Sequence, residues 1–155
     1  MIIIRYKFDL SPAIKATVEW QLQYYREDKR QLEEYKRDLI PSATPAYSAD
    51  PSGSHEAHRT TEDITMRIIS SPYLRRLELS CAAIDRVLSN LDDTSKRLID
   101  LVYWRREYTV EGAGMKIGLG KTAAYQRINK ILGCIAYEMG YVSVERAEKS
   151  GIFDP

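Results

Sequence analysis

Residues 109–132 read TVEGAGMKIGLGKTAAYQRINKIL, and this stretch decides how the rest of the chain is understood. Thr109 is a helix N-cap residue type, and the apolar spacing that follows predicts a short helix to about Ile117. Gly118 to Gly120 predict a tight turn, and a longer helix is expected from Lys121 to about Met139. Two helices joined by a three- or four-residue glycine turn make a helix-turn-helix, here at 109–139. The inward positions suit it: Ala113, Ile117, Leu119, Ala124, Ile128 and Ile131 are small or aliphatic where the two helices must meet. The positions left outward at the start of the second helix are Lys121, Thr122, Tyr125 and Gln126, followed by Asn129 and Lys130. Side chains of these types bond base edges and phosphate oxygens.

Gly120, Lys121 and Thr122 also spell the end of a nucleotide-binding loop, but the full pattern needs glycine where Met115 stands and a strand in front of it, where a helix is expected. No nucleophile, base and orienting group can be grouped from the sequence, so no catalytic site and no cofactor are expected. His55 and His58 are the only histidines, and two histidines in a loop do not make a metal site without further ligands. Cys81 and Cys134 sit in apolar helical surroundings, as small buried hydrophobes do in a reducing compartment.

Working outward, Asp92 to Thr94 offer an N-cap for a helix carrying Leu98, Ile99, Leu101, Val102 and Trp104, which ends in the basic pair Arg105 and Arg106. Before it, Ser71 and Pro72 open a helix in which Leu74, Leu77, Cys81, Ile84, Leu88 and Leu91 recur every three or four residues. That seam must be covered by neighbouring helices or by another subunit. Thr60 or Thr61 caps a short helix through Ile69. Residues 41–60, rich in Pro, Ser, Ala and Gly without a period, read as a linker. Ser11 and Pro12 open a long helix to Leu39 whose apolar positions are Val18, Leu22, Tyr25, Leu32 and Leu39. Ile2 to Phe8 is strand-like but has no partner in the sequence. The chain is therefore expected to be all-α, with an N-terminal interaction or oligomerisation segment at 1–40, the linker at 41–60, a helical DNA-binding domain at 61–142 and a tail at 143–155.

The chain has 155 residues, 44% of them hydrophobic, and a net charge of +1. No window approaches the ~18 consecutive apolar residues of a membrane span, so a soluble cytoplasmic protein is expected. The charge is unevenly placed: residues 94–142 carry 8 basic and 4 acidic side chains, a surplus of four, while residues 41–93 carry 5 and 8. A basic block inside a balanced chain is the pattern of a face that meets phosphate. Lys121, Thr122, Tyr125 and Gln126 are thus expected at the bases of double-stranded DNA, and Arg105, Arg106, Arg127 and Lys130 at its phosphates. One such module neutralises few phosphates, which points to a homo-oligomer, with the first helix and the Leu74 seam as its candidate surfaces.

The segments LDDTSKRLIDLVYW and YTVEGAGMKIGLGKTAAYQRINKIL resemble the helix-turn-helix of region four of bacterial sigma factors. Together with the preceding helix, the linker and SSPYLRRLELSCAAIDRVLSNL, the whole chain resembles the RinA family of phage transcriptional activators. The resemblance implies a regulator in the host bacterial cytoplasm that binds promoter DNA and switches on late or packaging genes, with RNA polymerase as a possible second partner. Two other readings share the helix-turn-helix: a small terminase subunit recognising packaging sites, and an adaptor that binds polymerase without reading DNA. Gly112, Gly114 and Gly120 depart from the family's usual helix formers and serine cap. Each glycine inside a helix costs ~0.5–1 kcal/mol against alanine, which packing must offset.

Overall fold

A computed structural model of the chain describes residues 10–39 and 55–142, with only the backbone described at 39, 55–61 and 64. Among the described residues the fold is all-α, without strands: α1 Pro12–Leu39, α2 His55–Ser70, α3 Pro72–Ser89, α4 Asp93–Ile99 running into a π-helical segment Asp100–Trp104, α5 Val110–Lys116 and α6 Lys121–Glu138. No described helix is long and apolar enough to cross a membrane. The strand-like run Ile2 to Phe8, the greater part of the linker and the tail lie outside the described residues.

Local chemistry sets the helix starts. The Ser11 hydroxyl accepts from Ile14 N at 3.3 Å, the Ser71 hydroxyl accepts from Leu74 N at 3.4 Å, and Asp92 Oδ1 accepts from Ser95 N at 3.0 Å. Each satisfies an amide that the first helical turn leaves without a partner, and Pro12 and Pro72 bring no amide to satisfy. The second helix departs from expectation. It starts at His55 rather than at a Thr60 or Thr61 cap, because helix-breaking Pro and Gly stop at Gly53 and nothing in the run from His55 to Thr61 interrupts a helix. His55 and His58 therefore lie on helical backbone, not in a loop.

One core joins α1, α3, α4, the π-helical segment and α6. Val18 and Leu22 from α1, Leu77 and Ile84 from α3, Leu98 from α4 and Leu132 from α6 are all essentially inaccessible to solvent. Burying each large aliphatic side chain contributes roughly 1.5–3 kcal/mol. The α1 stripe Val18, Leu22, Tyr25 and Leu32 is buried inside the chain, as are Leu74, Leu77, Cys81 and Ile84 of α3. Leu39's side chain lies outside the described residues. Polar partners close the α1 stripe where Lys29 stands between Tyr25 and Leu32. Lys29, which interrupts it, donates to Asp85 on α3 at 2.7 Å, and the Tyr25 hydroxyl donates to the same carboxylate.

Polar ties fasten α1 to the elements that carry the helix-turn-helix. Buried Tyr103 donates to Glu19 at 3.0 Å, and Trp104 Nε1 donates to the Leu22 carbonyl at 3.1 Å. Arg26 stacks over the Trp104 ring at 4.0 Å and reaches Asp100 at 3.1 Å. The π-helical segment is closed by Arg105 N donating to Asp100 O at 2.8 Å, and Arg106 then adopts a left-handed backbone with φ of 56°. For a bulky side chain that conformation costs about 1–2 kcal/mol, and it turns the chain sharply toward α5.

Candidate nucleic-acid interface

The helix-turn-helix expected at 109–139 is present, with α5 ending at Lys116 and α6 at Glu138. The Thr109 hydroxyl accepts from Gly112 N at 3.2 Å and so opens α5. At the turn, Leu119 N donates to Gly114 O at 2.8 Å and Gly118 N to Met115 O at 3.2 Å, with Gly118 at φ of +80°. This pair of bonds is the Schellman closure, and the left-handed residue at its centre is the reason Gly118 is glycine. Gly114 has a different reason. A Cβ added there would stand 2.6 Å from the Ala124 Cβ, so α5 and α6 approach too closely for any side chain at that crossing. The penalty of a glycine inside α5 is thus the condition for seating α6.

On α6, Ala124, Ile128, Ile131, Leu132 and Ile135 are buried, and Lys121, Thr122, Tyr125, Gln126, Asn129 and Lys130 are exposed. Both faces match the sequence reading, because eighteen residues of uninterrupted helix leave the periodicity no freedom. Lys121 Nζ lies 3.0 Å from Glu111 on the first turn of α5, and that carboxylate raises the lysine's pKa. The two leading turns of the motif are thereby tied together at their solvent edge.

The residues expected at phosphates divide into three kinds. Lys130 stands exposed, with no ion pair among the described residues. Arg127 is a brace: its Nη1 donates to Asp92 at 2.8 Å and to the Ser95 hydroxyl at 3.0 Å, linking α6 to the cap of α4. The hydrogen bonds from Ser95 and then Arg127 hold the Asp92 carboxyl down at about 2. Arg105 Nε lies 2.7 Å from Asp100, which already accepts from Arg26, and the Arg106 guanidinium sits 5.3 Å over the Tyr24 ring. Arg105, Arg106 and Arg127 thus have structural partners besides any phosphate. Arg127 keeps three of its five donors outside those bonds.

Two cations were not visible as site residues in the sequence. Arg97 of α4 and Lys116 of α5 converge with Arg105 and Tyr108 on a cleft of about 390 Å³ beside the motif. They come from different helices, and only the crossing of α4 and α5 brings them together, so no spacing rule reveals them. Asp100 and Glu107 share the cleft and offset part of its charge.

No group of three or more His, Cys, Asp or Glu side chains that could hold a metal is present among the described residues. Burial pushes the Cys81 thiol up to about 11 and raises that of Cys134, so neither is a ready nucleophile at neutral pH. The segment ahead of α6 is a helix, so the Gly120–Lys121–Thr122 run does not sit at the end of a phosphate-cradling strand. No protein-family profile, curated protein or solved structure matches the chain.

Proposed function

We propose that this protein is a sequence-specific DNA-binding transcriptional regulator without catalytic activity, and that α6 enters the major groove with Lys121, Thr122, Tyr125 and Gln126 nearest the bases. The observation that carries this reading is the seating of α6: its apolar face is locked by the Gly114–Ala124 contact while its leading turns present four polar side chains to solvent. A rigid helix with a free polar face is what groove readout requires. The surplus of four positive charges over residues 94–142 supports it. Lys130, the free donors of Arg127, Arg97 and Lys116 are the phosphate contacts in this reading. In this arrangement Arg105 and Arg106 chiefly shape the loop between the π-helical segment and α5. The resemblance to RinA activators adds the biological setting, a phage protein in the bacterial cytoplasm that acts on promoters of late or packaging genes, and the few phosphates that one module neutralises point to a homo-oligomer.

Footprinting of the purified protein on the genome that encodes it tests the reading. Protection of a discrete site is expected. Gln126→Ala should relax base choice at one position and cost about 1–3 kcal/mol there. Lys130→Ala should weaken all DNA about equally and lower the slope of log affinity against log salt by about one. Polymerase binding without any protected site would favour the adaptor reading instead, and protection confined to a packaging site together with large-terminase binding would favour the terminase reading.

A further inference from the structure

We propose that the outer face of α2 and α3 is the interface between two copies of this chain. The apolar stripes that the sequence offered for self-association are largely spent on the chain's own core, and this face is one where large apolar side chains of two adjoining helices remain in solvent. Met66 and Ile69 of α2 are 63% and 54% exposed, and Leu79 of α3 is 62% exposed. Of the α2 side chains that are described, only Ile68 is buried, and α2 packs chiefly on α3.

The face is shaped as well as apolar. A groove of about 460 Å³ runs past Ile69, Pro72 and Leu79 to Met139, with Arg75 and Arg76 along its rim and Arg86 paired there with Glu138. The Arg76 guanidinium lies between two rings, 5.7 Å from Trp20 and 5.6 Å from Tyr73. Tyr73 is held from the far side by its hydroxyl, which donates to Gln31 at 2.8 Å. Half-exposed aromatic and arginine side chains already fixed in place are the composition and the pre-organisation of a contact centre.

Charge selects the occupant. About one turn before Met66, α2 carries Asp63, while Arg75 and Arg76 stand on the rim of the groove beyond it and Arg86 there is paired with Glu138 at 2.7 Å. A two-fold axis near Ile69 brings the acidic end of each α2 to the basic rim of the other copy and sets Met66, Ile69 and Leu79 between them. A surface with both signs flanking one apolar strip complements itself, which is the requirement for an isologous pair. The choice of a second copy also rests on the DNA-binding reading, since two reading heads reach affinities that one does not.

Sedimentation velocity on the intact chain at micromolar concentration, without DNA, tests the proposal. A dimer is expected. Leu79→Asp should weaken it by about tenfold or more with helicity unchanged, because Leu79 touches the core little. Asp63→Arg should weaken the dimer, and adding Arg75→Asp should restore it. A monomeric intact chain overturns the proposal, and a dimer that appears only after removal of residues 143–155 overturns it by showing that the tail covers the groove. A Leu79→Asp protein that stays dimeric, or a charge exchange that restores nothing, overturns it as well. These outcomes are separable from the DNA reading: Gln126→Ala and Lys130→Ala should leave the dimer intact, and monomeric Leu79→Asp should still bind DNA, with lower affinity.

Discussion

Two helix pairs in this molecule are held by opposite means. Between α1 and α3 the contact is made of volume: Val18, Leu22 and Leu32 meet Leu77, Cys81 and Ile84, and Lys29, Tyr25 and Asp85 close its edge. Between α5 and α6 it is made of absence, since Gly114 and Ala124 let two backbones approach until a methyl group no longer fits. The first kind of contact stores stability in proportion to what is buried. The second stores little, but it fixes where α6 points, because a gap of one atom is the difference between seating and tilting. A seven-residue α5 with two internal glycines is too short to hold itself as an isolated helix, so its geometry depends on that contact.

The comparison is sharpest at the core. Leu77→Ala, which empties a fully buried site, should cost about 2–5 kcal/mol in urea denaturation and reduce DNA binding only in step with the folded fraction. Gly114→Val should cost about 1–3 kcal/mol from overpacking, yet abolish specific DNA binding at concentrations where the protein is folded. The exchange Gly114→Ala with Ala124→Gly should recover the binding that Gly114→Ala alone loses. If Gly114→Val left binding unchanged, the close approach would have no part in aiming α6.

Smaller effects refine the same contrast. Thr109→Ala removes the cap of α5 and should cost about 1 kcal/mol, seen first as faster amide exchange in α5 rather than in α1 or α3. Asp92 gives a pH signature for the brace between α4 and α6. Its carboxyl falls from the usual 3.8 to about 2 on folding, so the stability it contributes is fully present above pH 3.8 and is lost as the pH falls toward about 2. Wild type should therefore be more stable than Asp92→Asn at neutral pH, and the difference should shrink across that window. A difference that stays constant down to the lower value would mean that charge plays no part in the brace.

Much of the fold was legible because helices announce their ends locally. Ser11, Ser71, Asp92 and Thr109 are caps by chemistry that needs no tertiary partner, and the two faces of α6 follow from a period of 3.6. The start of α2 is hidden in the sequence, because the run from His55 to Thr60 carries no cap and shares the small, polar composition of the residues before it, so only the structure shows the helix beginning at His55. The site was legible only in its α6 half. Lys121, Thr122, Tyr125 and Gln126 share one turn and a half of a single helix, whereas Arg97 and Lys116 meet only where α4 crosses α5.

The sequence by itself determined the all-α class, the helix boundaries that carry caps and the side of α6 that faces water, because each depends on neighbours within about four residues. Tertiary structure alone decided that α1 belongs to the same core as the helix-turn-helix, since an apolar stripe records that it must be covered and not by what. It decided too why Gly114 is glycine: the clash it avoids is with a residue on another helix. It also separated the cations by role, turning Arg127 into a brace and Arg105 into the partner of Asp100, because charge is written in the sequence and distance is not.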